Sequence, residues 1–99
     1  MAQNRVVVDG RVSEIGPLRL TPAGVPVIEF RVMHTSEQME AGISRRAEFE
    51  MPAVAMGDPA RRATTLAPGA AVKLEGFLAG RSRTVRQPVL HVNILEIFE

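Results

Sequence analysis

A single short stretch of the chain carries helix signals. Asp58 followed by Pro59 reads as an N-cap with proline at the first helical position, and Pro68-Gly69 stops the chain soon after. The helix is thereby confined to Pro59–Leu66. The other apolar segments are patterned for strands. The chain must therefore build an all-β architecture with one helical insert, and its 99 residues suffice for one domain.

Five segments carry the strand pattern. Asn4 to Ile15 is β-branched and roughly alternating, and Gly10 inside it signals a bulge or a sharp coil. Gly16 to Pro26, with three prolines and two glycines, reads as a hairpin connection. Val27 to His34 is the cleanest strand, with Ile28, Phe30 and Val32 on one face and Glu29 and Arg31 on the other. Thr35 to Gly42 is polar, acidic and loop-like. Arg45 to Met51 alternates again, with Ala47, Phe49 and Met51 inward and Arg46, Glu48 and Glu50 outward. Ala71 to Ala79 is the fourth strand, with Val72, Leu74 and Leu78 on one face, and Val89 to Phe98 is the fifth. The expected core comprises Ile28, Phe30, Val32, Phe49, Met51, Val72, Leu74, Leu90, Val92 and Ile94. It is aliphatic by necessity, because the chain has no Trp or Tyr and only four Phe.

Five strands with one short helix between the third and fourth match the oligonucleotide/oligosaccharide-binding (OB) fold, a small Greek-key barrel. A five-stranded sandwich or an SH3-like barrel is the alternative. With no cysteine there is neither a disulfide nor thiolate chemistry. No apolar run suits a signal peptide or approaches the roughly 20 residues that span a bilayer. The expectation is a soluble cytoplasmic protein without membrane contact.

The net charge of +1 decides little, but its distribution is informative. Acids gather between Glu37 and Glu50 and at the far C-terminus. The stretch between the last two strands holds Arg81, Arg83 and Arg86 with no acid among them. Three guanidinium groups in one loop suit an anionic backbone; an ordinary solvated loop would look the same. Arg19 lies in the first hairpin connection, which flanks the ligand groove of an OB barrel. Arg45 and Arg46 could extend the cationic track or pair with Glu37, Glu40 or Glu48. One phosphate each for the loop arginines and one or two of the others makes about four or five contacts, a salt slope near −3 for a single strand.

Glu48 and Glu50 share a strand face, but no pocket motif accompanies them, so they read as a solvated face. His34 and His91 are the only histidines, too few for a zinc site in a chain without cysteine. No phosphate-loop, nucleophile-elbow or zinc-protease motif occurs. The chain reads as a binding protein, neither enzyme nor metalloprotein, with no cofactor. Phe77 falls on the opposite parity from Leu74 and Leu78, as either an exposed stacking platform or a filler of a gap in the barrel or an interface.

The opening Asn4-Arg5-Val6-Val7-Val8-Asp9-Gly10-Arg11-Val12 resembles that of the bacterial single-stranded-DNA-binding protein family. The primosomal branch of that family is more similar still. Its motifs match at Pro17-Leu18-Arg19, Thr21-Pro22-Ala23-Gly24-Val25-Pro26, Phe30-Arg31-Val32-Met33-His34, Glu40-Ala41-Gly42, Met51-Pro52, Val72-Lys73-Leu74-Glu75-Gly76-Phe77 and Val89-Leu90-His91, in order along nearly the whole chain. The resemblance implies a cytoplasmic OB-fold homodimer that binds single-stranded DNA and promotes replication restart with the helicase PriA and the loader DnaT. An adaptor that bridges a helicase and touches DNA only weakly is the second reading. The chain departs from the family pattern at Ile43 and Glu48, where relatives carry aromatics nearby, and at Thr35, where a family arginine follows the histidine. Its loop is also shorter. The apolar, proline-free strand at Asn4 to Val8 has an unprotected edge and is the expected place for the dimer contact.

Overall fold

The computed structural model describes residues 2–98. Its elements run β1 (Val6–Ile15), β2 (Arg19–Leu20), β3 (Pro26–Glu40), β4 (Ile43–Met56), α1 (Asp58–Ala63), β5 (Ala71–Gly80) and β6 (Pro88–Phe98). The sheet order is β1-β5-β6-β4-β3-β2, and β1 also pairs with β3, which closes the barrel. The five long strands and the helix between β4 and β5 form the expected OB barrel. The two-residue β2 lies within the segment read as a hairpin connection and pairs Arg19 with Val27 and Leu20 with Pro26.

Closure depends on the coil of β1. Its first half, Val6 to Arg11, pairs with β5; from Arg11 to Ile15 it pairs with β3, with a register shift between Val12 and Glu14. Gly10 sits at the crossover. A Cβ there would lie 2.2 Å from the Met33 carbonyl oxygen, so only glycine lets the two strands approach this closely. The coil is where the sequence puts it, and the irregularity in register comes at Ser13.

The core is aliphatic apart from Phe30, and no polar or charged residue is buried among those described. Val32, Val72, Leu74 and Leu90 are completely enclosed, and Ile28, Phe30 and Val92 join them. Leu78 and Met51 are half-buried against this cluster.

Four expectations change. Thr35 to Gly42 is not a loop: β3 runs on to Glu40 and β4 starts at Ile43, so the two form a long arm closed by Ala41-Gly42. Both turn residues have positive φ (52° and 77°), as the twist-matched two-residue hairpin turn requires. The stretch is polar because both arm faces meet water, not because pairing stops. Phe49 is 40% exposed; β4 has left the barrel there, and the ring lies tilted against His34, centroids 5.0 Å apart.

Ile94 is 51% exposed while Leu95 is buried. Glu75 pairs with Ile94 but Gly76 pairs with Val92, so Asn93 is an extra residue that inverts the parity of the rest of β6. Gly76 makes the junction fit, since a Cβ there would stand 1.8 Å from the His91 carbonyl oxygen. Finally, α1 starts at Asp58 itself. Gly57, at φ 73°, takes the N-cap position without a side-chain cap, and the Asp58 carboxylate pairs with Arg61 instead.

Candidate nucleic-acid interface

The connection between β5 and β6 is a folded tip. Arg81 N–H donates to the Gln87 carbonyl (3.1 Å) and Ser82 N–H to the Val85 carbonyl (2.9 Å). The Ser82 hydroxyl accepts from Val85 N–H at 2.9 Å. Arg86 Nε donates to the Arg83 carbonyl at 3.2 Å. Arg83 and Arg86 have no carboxylate partner among the described residues.

Arg81 is different. Its Nη2 lies 3.4 Å from Glu29 Oε1, and Arg19 Nη2 lies 2.9 Å from Glu29 Oε2. One carboxylate on β3 thus draws together an arginine of β2 and one of the β5–β6 loop. Two residues along the same face stands Arg31, which the sequence places on the outward face of its strand but not among the candidate site residues. It lies 3.1 Å from Glu50 and 3.9 Å from Glu14, and the Ser13 hydroxyl donates to the other Glu50 oxygen at 2.9 Å. A cleft runs here between Glu14, Glu29, Arg31, Pro52, Arg81 and Val89. The signal that could have found Arg31 was its outward parity on the second long strand, part of the ligand face of an OB barrel. Arg19, Arg31 and Arg81 are balanced by Glu14, Glu29 and Glu50, so an entering phosphate competes with carboxylates. Exposed pairs of this kind are worth only about 0–1 kcal/mol each.

Arg45 and Arg46 lie on the arm. As neighbours in a strand they point to opposite faces. Arg45 pairs with Glu40, and Arg46 Nε lies 3.3 Å from Glu48. Only Arg46 shares the face of Arg31, displaced by about 20 Å at roughly 3.3 Å per residue. The structure therefore gathers Arg19, Arg31 and Arg81 around the cleft, carries Arg83 and Arg86 further along the loop that holds Arg81, and leaves Arg45 and Arg46 apart.

The profile of a family described as "another single-strand binding protein family" matches residues 4–94. A replication restart protein PriB from Nitrosomonas europaea is 40% identical over 90 residues, 91% of this chain and 83% of that protein. Another, from Neisseria meningitidis serogroup B, is 32% identical over 97% of this chain and 95% of its own length. The crystal structure of PriB from Ralstonia solanacearum superposes with a TM-score of 0.87 at 33% identity, covering 99% of this chain and all of that one. The chain belongs to the PriB family of replication restart proteins. The single-stranded DNA binding protein of Thermus aquaticus shares the PriB barrel at a TM-score of 0.80 and 16% identity, over 98% of this chain and half of its own.

In this chain Ile43 is 67% exposed near the arm tip, and Thr35 and Glu48, both exposed, form one rung of the arm. The positions with which the resemblance associates aromatics are thus solvent-facing, and here they offer no ring.

The shared carboxylate yields a direct test. Glu29→Gln should free Arg19 and Arg81 together. Affinity for labelled oligothymidine should rise several-fold, and the slope of log affinity against log salt should steepen by about 1.4, roughly 0.7 per added phosphate contact. Fluorescence anisotropy across a salt series measures both, and unchanged values would place the cleft outside the binding surface.

Proposed function

We propose that this protein binds single-stranded DNA through Arg19, Arg81, Arg83 and Arg86, joined by Arg31, with Arg45 and Arg46 as outlying contacts. It acts in the cytoplasm during replication restart as a homodimer that stimulates and bridges the helicase PriA and contacts DnaT. The observation that carries this reading is the pair of arginines without carboxylate partners among the described residues, Arg83 and Arg86, on the same β5–β6 loop that brings Arg81 to the cleft. Phosphate contacts position a strand without reading its bases, so sequence preference is weak. A groove that follows one flexible backbone favours single strands over duplex.

The homodimer is supported by the free edge of β1. Residues 6–9 pair with β5 on one side and with no described strand on the other. His34 Nδ1 donates to the Asp9 carbonyl (2.6 Å) and so blunts that edge at one point only. Light scattering at micromolar concentration should give twice the chain mass; a single-chain mass would exclude pairing through β1.

The adaptor reading draws on the balanced charges of the cleft, which weaken its pull on DNA. Titrating the protein with an oligonucleotide and with PriA at physiological salt separates the two. Tight PriA binding beside negligible oligonucleotide binding would favour the adaptor.

A further inference from the structure

We infer that Phe77 and His91 form a base-stacking platform on the outer face of β5 and β6, distinct from the arginine cleft. The inference rests on the single-strand-binding reading and adds to it a contact for the bases, where the arginines serve only phosphates.

Parity brings the two rings together. Val72, Leu74 and Gly76 face the core, so Phe77 faces out, and His91 is its cross-strand partner in register. Their centroids are 5.0 Å apart and their planes within 10° of parallel, an offset stack. Phe77 remains 37% exposed. One face of its ring is taken by the imidazole, and a second flat group can extend the stack. The chain's other phenylalanines offer no parallel ring pair among the described residues: Phe30 is buried, Phe49 meets His34 at a 35° tilt, and Phe98, 47% exposed, stacks on no other ring.

The platform is fixed in place. Gly76, beside Phe77, lets β5 close onto the His91 carbonyl. On the other side, the Asn4 amide donates to the Leu78 carbonyl (2.7 Å) and accepts from Leu78 N–H (2.9 Å). The backbone flanking the ring is held before any ligand arrives, so little ordering cost attends stacking.

The surroundings specify the occupant. The Phe77–His91 rung lies three rungs from Gly80–Pro88, at the base of the arginine tip, or about 10 Å at roughly 3.3 Å per residue. A strand held by Arg83 and Arg86 can pass over the rings. Beyond them Arg5 Nη2 sits 3.0 Å from Glu75, so the guanidinium on the far side is already paired. An open parallel ring pair beside the unpaired cations of the tip suits a single-stranded nucleic acid, and stacking tolerates any base.

The chain lacks Trp and Tyr, so Phe77→Trp introduces a sole strong fluorophore at the platform. Oligothymidine should quench its emission in step with the anisotropy change of the labelled strand. An abasic oligomer of equal length should not quench it. Phe77→Ala and the volume-conserving Phe77→Leu should each lower affinity about tenfold while leaving the salt slope unchanged, and Phe77→Leu should keep the wild-type denaturation midpoint. Binding by the wild type without quenching in Phe77→Trp, or wild-type affinity in Phe77→Leu, would overturn the platform and leave the DNA-binding reading standing. A change of assembly mass in Phe77→Leu would overturn it in favour of a protein interface. Failure of the wild type to bind oligothymidine would remove both readings.

Discussion

Phe30→Ala is expected to destabilise the protein by about 3–5 kcal/mol, the usual cost of a large-to-small change at a fully packed aromatic site. The side chain is only 3% exposed and sits among Val12, Ile28, Val32 and the strands opposite. No polar or charged residue is buried among those described, and the aliphatic neighbours cannot collapse onto the void without shifting a closed barrel. Domains of this size are stable by about 5–15 kcal/mol, so the loss consumes a large part of the total. Phe49→Ala is the matched control. The same alternation rule reads both residues as core, yet Phe49 is 40% exposed. Its loss should cost about 1 kcal/mol or less. Urea denaturation followed by circular dichroism compares them; similar midpoints for the two variants would contradict the burial described.

Replacing Arg83 and Arg86 together with Ala should flatten the salt slope of oligothymidine binding by about 1.4, at roughly 0.7 per phosphate. Adding Arg81→Ala should change it much less, because Glu29 already neutralises Arg81. From sequence alone the three arginines are equivalent. The structure divides them into two without an acid and one tethered by an acid. The fold should survive, since the tip is exposed and its turn is held by backbone and Ser82 hydrogen bonds. Anisotropy across a salt series resolves the difference. An undiminished slope in the double variant would take the tip out of the binding surface.

The division shows what a linear reading can reach. Period-two alternation located four of the five long strands and, of β4, only the stretch up to Met51, short of the Ala53–Ala55 segment that pairs with β6; Asp58-Pro59 with Pro68-Gly69 located the helix, because those signals are local. The arm was hidden since alternation of apolar and polar residues reports a buried face, and residues 35–40 have none that is deeply buried. The displaced parity after Asn93 was hidden because the cause lies on another strand: Gly76 admits the close approach, while nothing in β6 itself announces it. The tether on Arg81 was hidden because its acid is 52 residues away in sequence. The individual arginines were legible as charges; which of them are free depends on tertiary register.

The arm accounts for a molecule 50 Å long, and it has an energetic consequence. The barrel's apolar cluster ends near Val32 and Met51, and the rungs from Thr35–Glu48 outward are held by backbone hydrogen bonds, exposed ion pairs and side-chain hydrogen bonds such as that from Ser44 to Glu37. Such rungs can open while the barrel stays intact. The arm is therefore a separate thermodynamic unit. Its amides can exchange with solvent through local openings that a global melting curve never registers, and a partner can reshape it without drawing on the stability of the core.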